Sequence, residues 1–350
     1  MKGRKLIQAT LDRSNNGGEN GLWLGTPTWD AMKLYYPQMG IKDYTPWRGG
    51  KMETDFHISL GADMVRISPE FNSANYKHPD GLAIWNCTRD VGKTLPAGIF
   101  EECEDIDEIE AFPLWPNPDY MDYTQAIEDA KYAYECGLSV FGSMITDIFT
   151  LSSSFFGMQE YFVKMYTDPE IVHAVTRRIT DFYLAVNQRF IDLAGQYLTG
   201  GFFSMDLGTQ QELMIGPKLF DEFLAPYISE LIRQFKNAGL KFALHSCGAI
   251  DKLIPRLIDL GVDILNPLQA KAVGMEPENL ARKYSGKLIF CGGVDAQELL
   301  PFGTPEQVRE EVLRLRDIFK GELIVSPSHD SLLPDVPFEN VLALCKAAKE

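Results

Sequence analysis

The chain has 350 residues, enough for two average domains or for one (β/α) barrel, and with 45% hydrophobic residues it can bury a large core. Its formal net charge of −16 argues against nucleic acid or an anionic membrane as partner, because both demand basic surfaces, and mildly against a substrate with many carboxylates. No apolar run reaches the ~18 residues of a membrane span and the N-terminus lacks the apolar core of a signal peptide, so a soluble, cytoplasmic protein is expected.

Six cysteines are scattered without framework spacing and are read as reduced thiols. Residues 1–20 read as a helix followed by a loop. Gly21–Thr26 is the first predicted strand, running into Pro27 and Trp29, and Ala62–Ile67 is the second, ending at Ser68, Pro69 and Glu70. Residues 71–123, rich in Pro, Trp and acidic side chains, show no clean periodicity and read as an excursion or lid inserted into the larger fold. Asp122–Cys136 is helical in pattern, Leu138–Met144 is a third strand with Asp147 beyond it, and helices are expected over Met158–Thr167 and Pro169–Ala194, the latter with Asp168 as N-cap. Gly201–Met205 is a fourth strand ending at Asp206, and Pro217–Ala238 reads as one long helix.

Lys241–His245 (KFALH) is the fifth strand and stops abruptly in Ser246-Cys247-Gly248, with a helix predicted over Asp251–Leu260. Val262–Leu265 ends at Asn266, Pro267 and Gln269; Lys287–Phe290 ends at Cys291, Gly292, Gly293 and Asp295; Glu322–Val325 ends at Ser326, His329 and Asp330. Helices Glu276–Tyr284, Pro305–Phe319 and Pro337–Lys349 separate and close these strands. Eight strands alternating with helices predict a single (β/α)8 TIM barrel, with a doubly wound open sheet as the alternative.

In a barrel the C-terminal strand tips share one mouth, where function sits. An imidazole and a thiol two residues apart at one tip, His245 and Cys247, can face a common centre, and such a mixed donor pair suits zinc. The same pair is open to a packing role, since His and free Cys are both common in interiors. Catalytic zinc takes three protein ligands. The third is expected from His329, with Cys291 and Asp330 in reserve. Asp206, Glu70 and His329 are the candidates for acid–base or orienting work. Trp29, Asp147, Phe155, Asn266 and Gln269 are the candidate substrate contacts. Gly292 and Gly293, with Asp295, read either as a site of close backbone approach to a cofactor or as a tight turn.

Five stretches in order, FTLSSSFFG (149–157), FDEFLAPYISELI (220–232), HSCG (245–248), CGGVDAQELLPFGTPEQV (291–308) and SPSHDSLLPDVPFENV (326–341), resemble the uroporphyrinogen decarboxylase superfamily. The resemblance implies a (β/α)8 barrel and one of two activities: metal-free decarboxylation of a porphyrinogen, or zinc-dependent methyl transfer to or from a cobamide. The decarboxylase branch is similar within an arginine-rich segment after the first strand, matched here by TPTWDAMKLYY, which has no arginine; Glu70 stands for its aspartate and Ser154 for its tyrosine. The methyltransferase branch resembles this chain in its HxCG pair, His245, Cys247 and Gly248, although its third cysteine is replaced by the segment carrying His329 and Asp330. The resemblance therefore implies a zinc-dependent methyltransferase working with a small-molecule methyl donor or acceptor and a separate corrinoid protein, and a homodimer in solution. A metal-independent decarboxylase is the alternative.

Overall fold

Strands of a parallel sheet are covered on both faces and so read as unbroken apolar runs. The chain supplies eight: β1 Gly21–Leu22, β2 Met64–Ile67, β3 Ser139–Gly142, β4 Gly200–Ser204, β5 Lys241–His245, β6 Ile264–Leu268, β7 Ile289–Val294 and β8 Leu323–Pro327. The computed structural model describes residues 2–15, 18–42, 50–69, 75–87, 97–144 and 147–350. All pairings are parallel, in the order β1-β8-β7-β6-β5-β4-β3-β2, with helices between successive strands, which makes the fold a (β/α)8 barrel. Between β1 and β2 the seam is spanned from the residue before β2: the N–H of Asp63 donates to Leu22 O at 2.8 Å, and its carboxylate accepts the N–H of Leu22 at 2.9 Å.

The barrel interior holds a buried cluster with side chains from every strand or its continuation, including Trp23, Met64, Phe141, Phe202, Ala243, Ile264, Ile289 and Ile324. Ile7 and Leu11 of the helix Arg4–Leu11 join that cluster, and the helix is tied to the N-terminal end of the barrel by Arg4 N–H to Gly137 O at 2.7 Å. The N-terminal end is thereby plugged, which leaves the C-terminal end for chemistry. Among the described residues no helix is long and apolar enough to cross a membrane.

Several predicted elements differ in extent. The predicted helix Pro217–Ala238 is two helices, Pro217–Phe223 and Ala225–Asn237, because Pro226 can give no N–H to the carbonyl one turn earlier and crowds it. Asp168 stands at the N-cap of Pro169–Ala194 but its carboxylate accepts from Thr167 Oγ1 at 2.6 Å rather than from the helix N–H groups. β6 and β7 run further than predicted, so Asn266 and Cys291 lie within strands and not beyond their tips. Asn266 reads as a terminator, yet within β6 its backbone O accepts from Ser246 N at 2.7 Å and its amide finds buried partners.

The described part of the stretch after β2 packs sideways. Phe100 N–H donates to Phe155 O at 2.8 Å, and Phe100 and Trp115 lie 5.7 and 4.9 Å from the Phe155 ring. It thus covers the helices Ile148–Phe156 and Pro169–Ala194, where Trp85 meets Phe182 at 5.1 Å.

Candidate functional site

β5 delivers His245, 3% exposed, to the C-terminal mouth, and the chain turns at once through Ser246, Cys247 and Gly248. β4 lies beside β5 and delivers Asp206 two residues beyond its end. The two loops are laced together: Ala249 N–H donates to Thr209 O at 2.7 Å, Leu207 N–H to Ser246 Oγ at 3.1 Å and Cys247 N–H to Asp206 Oδ1 at 3.0 Å. Gly248 makes that approach possible. Its φ is +88°, and a Cβ there would fall 2.4 Å from Gly208 O.

Cys247 Sγ lies 3.4 Å from His245 Nε2, which lies 3.5 Å from Asp206 Oδ1. One ligand atom from each of these three residues falls within 4.8 Å of the others. The opposite ring nitrogen is committed elsewhere: His245 Nδ1 is 2.8 Å from Asn266 Oδ1, and Asn266 Nδ2 donates to Cys291 O at 3.2 Å. Since the amide must turn its NH2 to the carbonyl, its oxygen faces the ring, Nδ1 carries a proton, and Nε2 is the nitrogen turned toward the thiol and carboxylate. Gln269 supports the far side of the turn, its Oε1 accepting from Gly248 N–H at 2.8 Å.

The charges fit a cation at this point. Burial alone would depress His245, but the Asp206 carboxylate and the Cys247 sulfur outweigh it and push the imidazole up to about 10. The His245 hydrogen bond in turn holds the Asp206 carboxyl below its ordinary value. Next to them Asp147 is pushed up to about 6 by burial, with the Asp206 charge adding to it. Burial works in the same sense on Asp330, yet the neighbouring His329, with His245 and Arg66, holds that carboxyl well below the usual range.

A cavity of about 480 Å³ opens over the cluster, lined by Asp206, Cys247, Gln269 and His329 among others. His329, 49% exposed, stands 3.0 Å from Asp330, but neither joins the three clustered donors. Asp206, expected to handle protons, takes the third corner instead. Cys291 is buried in the barrel interior and also lies outside the cluster. Asn266 orients the imidazole. Asp147 caps the helix Ile148–Phe156 through Thr150 N–H at 2.9 Å. Phe155, 1% exposed, is enclosed by Phe100, Trp85 and Trp115 and does not line the cavity. Trp29 opens the helix Trp29–Gln38 with Lys33 over its ring. Asp295 accepts from Gln297 and Leu299 N–H groups and pairs with Lys271. Gly292 and Gly293 are inside β7, where a Cβ on Gly292 would meet Leu268 N at 2.5 Å and one on Gly293 would meet the Leu315 side chain at 2.9 Å, so their smallness serves packing. Glu70 lies outside the described residues.

A parallel barrel with an imidazole, a thiol and a carboxylate converging at its C-terminal mouth defines a (β/α)8 protein with a candidate metal centre. The chain belongs to the uroporphyrinogen decarboxylase (URO-D) family, whose model matches residues 90–350. It is 28% identical over 230 residues to a "Methylated-thiol--coenzyme M methyltransferase" of Methanosarcina mazei, a match that takes in 64% of this chain and 57% of that relative. It is 23% identical over 251 residues to the "Methylcobamide:CoM methyltransferase MtbA" of Methanosarcina acetivorans, covering 72% of this chain and 70% of the relative. Among solved structures, a methyltransferase from Methanosarcina mazei superposes with a TM-score of 0.64 over 99% of this chain and 97% of its own, at 14% identity, a likeness of fold. The sequence relatives favour the methyltransferase reading over the decarboxylase alternative.

Proposed function

We propose that the chain is a zinc-dependent methyltransferase of a corrinoid system. It would move a methyl group between a cobamide carried by a partner protein and a thiol, or an O- or N-methylated small molecule. The observation that carries this reading is the convergence of His245 Nε2, Cys247 Sγ and an Asp206 carboxylate oxygen beside an open cavity. One borderline, one soft and one hard donor suit zinc, and three protein ligands leave a position for substrate. Zinc held there would supply Lewis acidity, keeping a sulfur as thiolate or polarising the heteroatom of a methylated donor.

The chain's own residues do the rest. Asn266 keeps the His245 lone pair aimed at the centre, and Asp206 is held in place by the Cys247 N–H. His329, on the cavity wall beside Asp330, would contact the bound heteroatom or act as a further donor. Elemental analysis of purified protein should find about one zinc per chain, as one three-ligand site requires. His245→Ala and Cys247→Ala should lose both the metal and methyl transfer from methylcobalamin to a thiol. Protein purified without metal whose two variants keep full turnover would remove the proposal, and turnover of a porphyrinogen unaffected by chelator would favour the decarboxylase instead.

A further inference from the structure

The lining of the cavity differs in character from loop to loop. The loop after β8 contributes an apolar side, with Leu332 and Val336 buried and Leu333, 44% exposed, at the rim. The rest of the lining includes uncharged polar groups, Thr209, Gln210, Gln269, Gln297 and Ser328, together with Asp206 and with His329, whose Nδ1 stands 3.0 Å from Asp330. Among the described residues the lining offers no ammonium or guanidinium group. The neighbouring cations are engaged: Lys271 lies 3.2 Å from Asp295 and also pairs with Glu298, while Arg66 stands over the Phe202 ring and acts on Asp330. An anionic substituent entering here would give up its hydration against leucines and stand near the Asp206 carboxylate. It would find amides and hydroxyls rather than the charged bidentate partner that a guanidinium offers.

We propose that this cavity selects an uncharged substrate, a neutral thiol or methyl ether whose apolar body lies on Leu332, Leu333 and Val336 while its heteroatom reaches the His245, Cys247 and Asp206 cluster. The inference rests on the methyltransferase reading and names its substrate class. Leu333 is then the position at which the preference can be changed, because it is at the rim and a charged side chain there keeps its own hydration.

The test uses the full-length protein loaded with cobalt(II), in which thiolate binding is read from the sulfur-to-cobalt charge-transfer band. Benzyl mercaptan and 4-(mercaptomethyl)benzoate are titrated in parallel, with anisole and 4-methoxybenzoate compared by calorimetry to cover a methyl ether. The neutral member of at least one pair should bind about tenfold tighter or more than its anion, the scale set by one desolvated and unpaired polar group. Leu333→Arg should narrow or invert that ratio through the anion's affinity while leaving cobalt uptake unchanged. Equal or tighter binding of the anions by the unmodified protein would overturn the inference and leave the methyltransferase reading standing. Cobalt uptake with no binding of any of the four compounds would instead overturn the reading itself, and the inference with it.

Discussion

Asn266 and His245 stand on neighbouring strands with Oδ1 and Nδ1 2.8 Å apart, and the amide is held in that sense because its Nδ2 donates to Cys291 O at 3.2 Å. A residue that reads as a strand terminator thus sets which nitrogen of the imidazole faces the mouth. Asn266→Ala should weaken zinc binding about 10- to 100-fold, the usual cost of removing the partner that orients a metal-binding histidine. Competition against a chromogenic chelator measures this, and unchanged affinity would show that the ring needs no such support.

Asp206 is the third member of the cluster that could hold a metal. Asp206→Asn keeps the size of the side chain and its contact to Cys247 N–H, 3.0 Å in the present structure, but replaces an anionic donor by a neutral one. Zinc affinity should fall while the barrel keeps its stability, because Asp206 is more than half exposed. Equal zinc content in variant and parent after dialysis against a weak chelator would assign the third position to another group.

Gly248 tests the lacing of the two loops. Its φ is +88° and an added Cβ would stand only 2.4 Å from Gly208 O, so Gly248→Ala must push the β4 and β5 loops apart. A loss of about 1–3 kcal/mol, the range for a strained backbone position, should come with weakened metal binding. Gly239→Ala has a similar φ of +73° but nothing within 4 Å, and it should cost less and leave the metal in place. Urea unfolding and zinc content of both variants decide the matter.

At the other end of the barrel Asp63, 2% exposed, accepts from Gly3 N–H at 2.6 Å and Leu22 N–H at 2.9 Å and pairs with Lys349. It joins the N-terminus, β1, β2 and the C-terminus across the seam. Asp63→Ala should cost about 3 kcal/mol or more, as when one partner of a buried ion pair is removed. Urea midpoints should fall, while zinc per chain in the folded protein stays the same.

Asp147 supplies a pH dependence. Its folded-state value of about 6 lies above the ordinary 3.8 because burial disfavours the charged form. Folding therefore favours the protonated carboxyl, and that contribution is present in full below pH 3.8 and lost as pH rises through about 6. Asp147→Asn keeps an acceptor for Thr150 N–H but does not titrate, so its stability should decline less than the parent's over that window in urea titrations. Parallel curves would place the titration on another group.

How much of this was legible in the chain follows from where each signal resides. Lys241–His245, Met158–Thr167, Pro169–Ala194 and Pro305–Phe319 have the bounds read from the sequence, because Pro, Gly and capping residues punctuate them locally. Eight apolar runs alternating with helices sufficed for the barrel, since few architectures cover a parallel strand on both faces. The His245 and Cys247 pair could be read for the same reason: both belong to one strand tip, two residues apart.

The remaining features depend on contacts between segments distant in sequence. His329 and Asp206 were equally placed at strand tips, and nothing in their spacing says which reaches the imidazole. The decision comes from the pairing of β4 with β5 and from Gly248, which lets those loops touch. Asn266 and Cys291, polar and small, looked like loop residues until their neighbours satisfied them inside the sheet. Phe155 looked available to a substrate until Phe100 and Trp115 closed over it. Local sequence determined most of the elements and the presence of an imidazole and a thiol at one strand tip, because backbone propensity and capping act within a turn or two. The third side chain of the cluster, the imidazole's orientation and the cavity's walls were decided only in three dimensions, because hydrogen bonding and desolvation depend on which groups the closed barrel brings into contact.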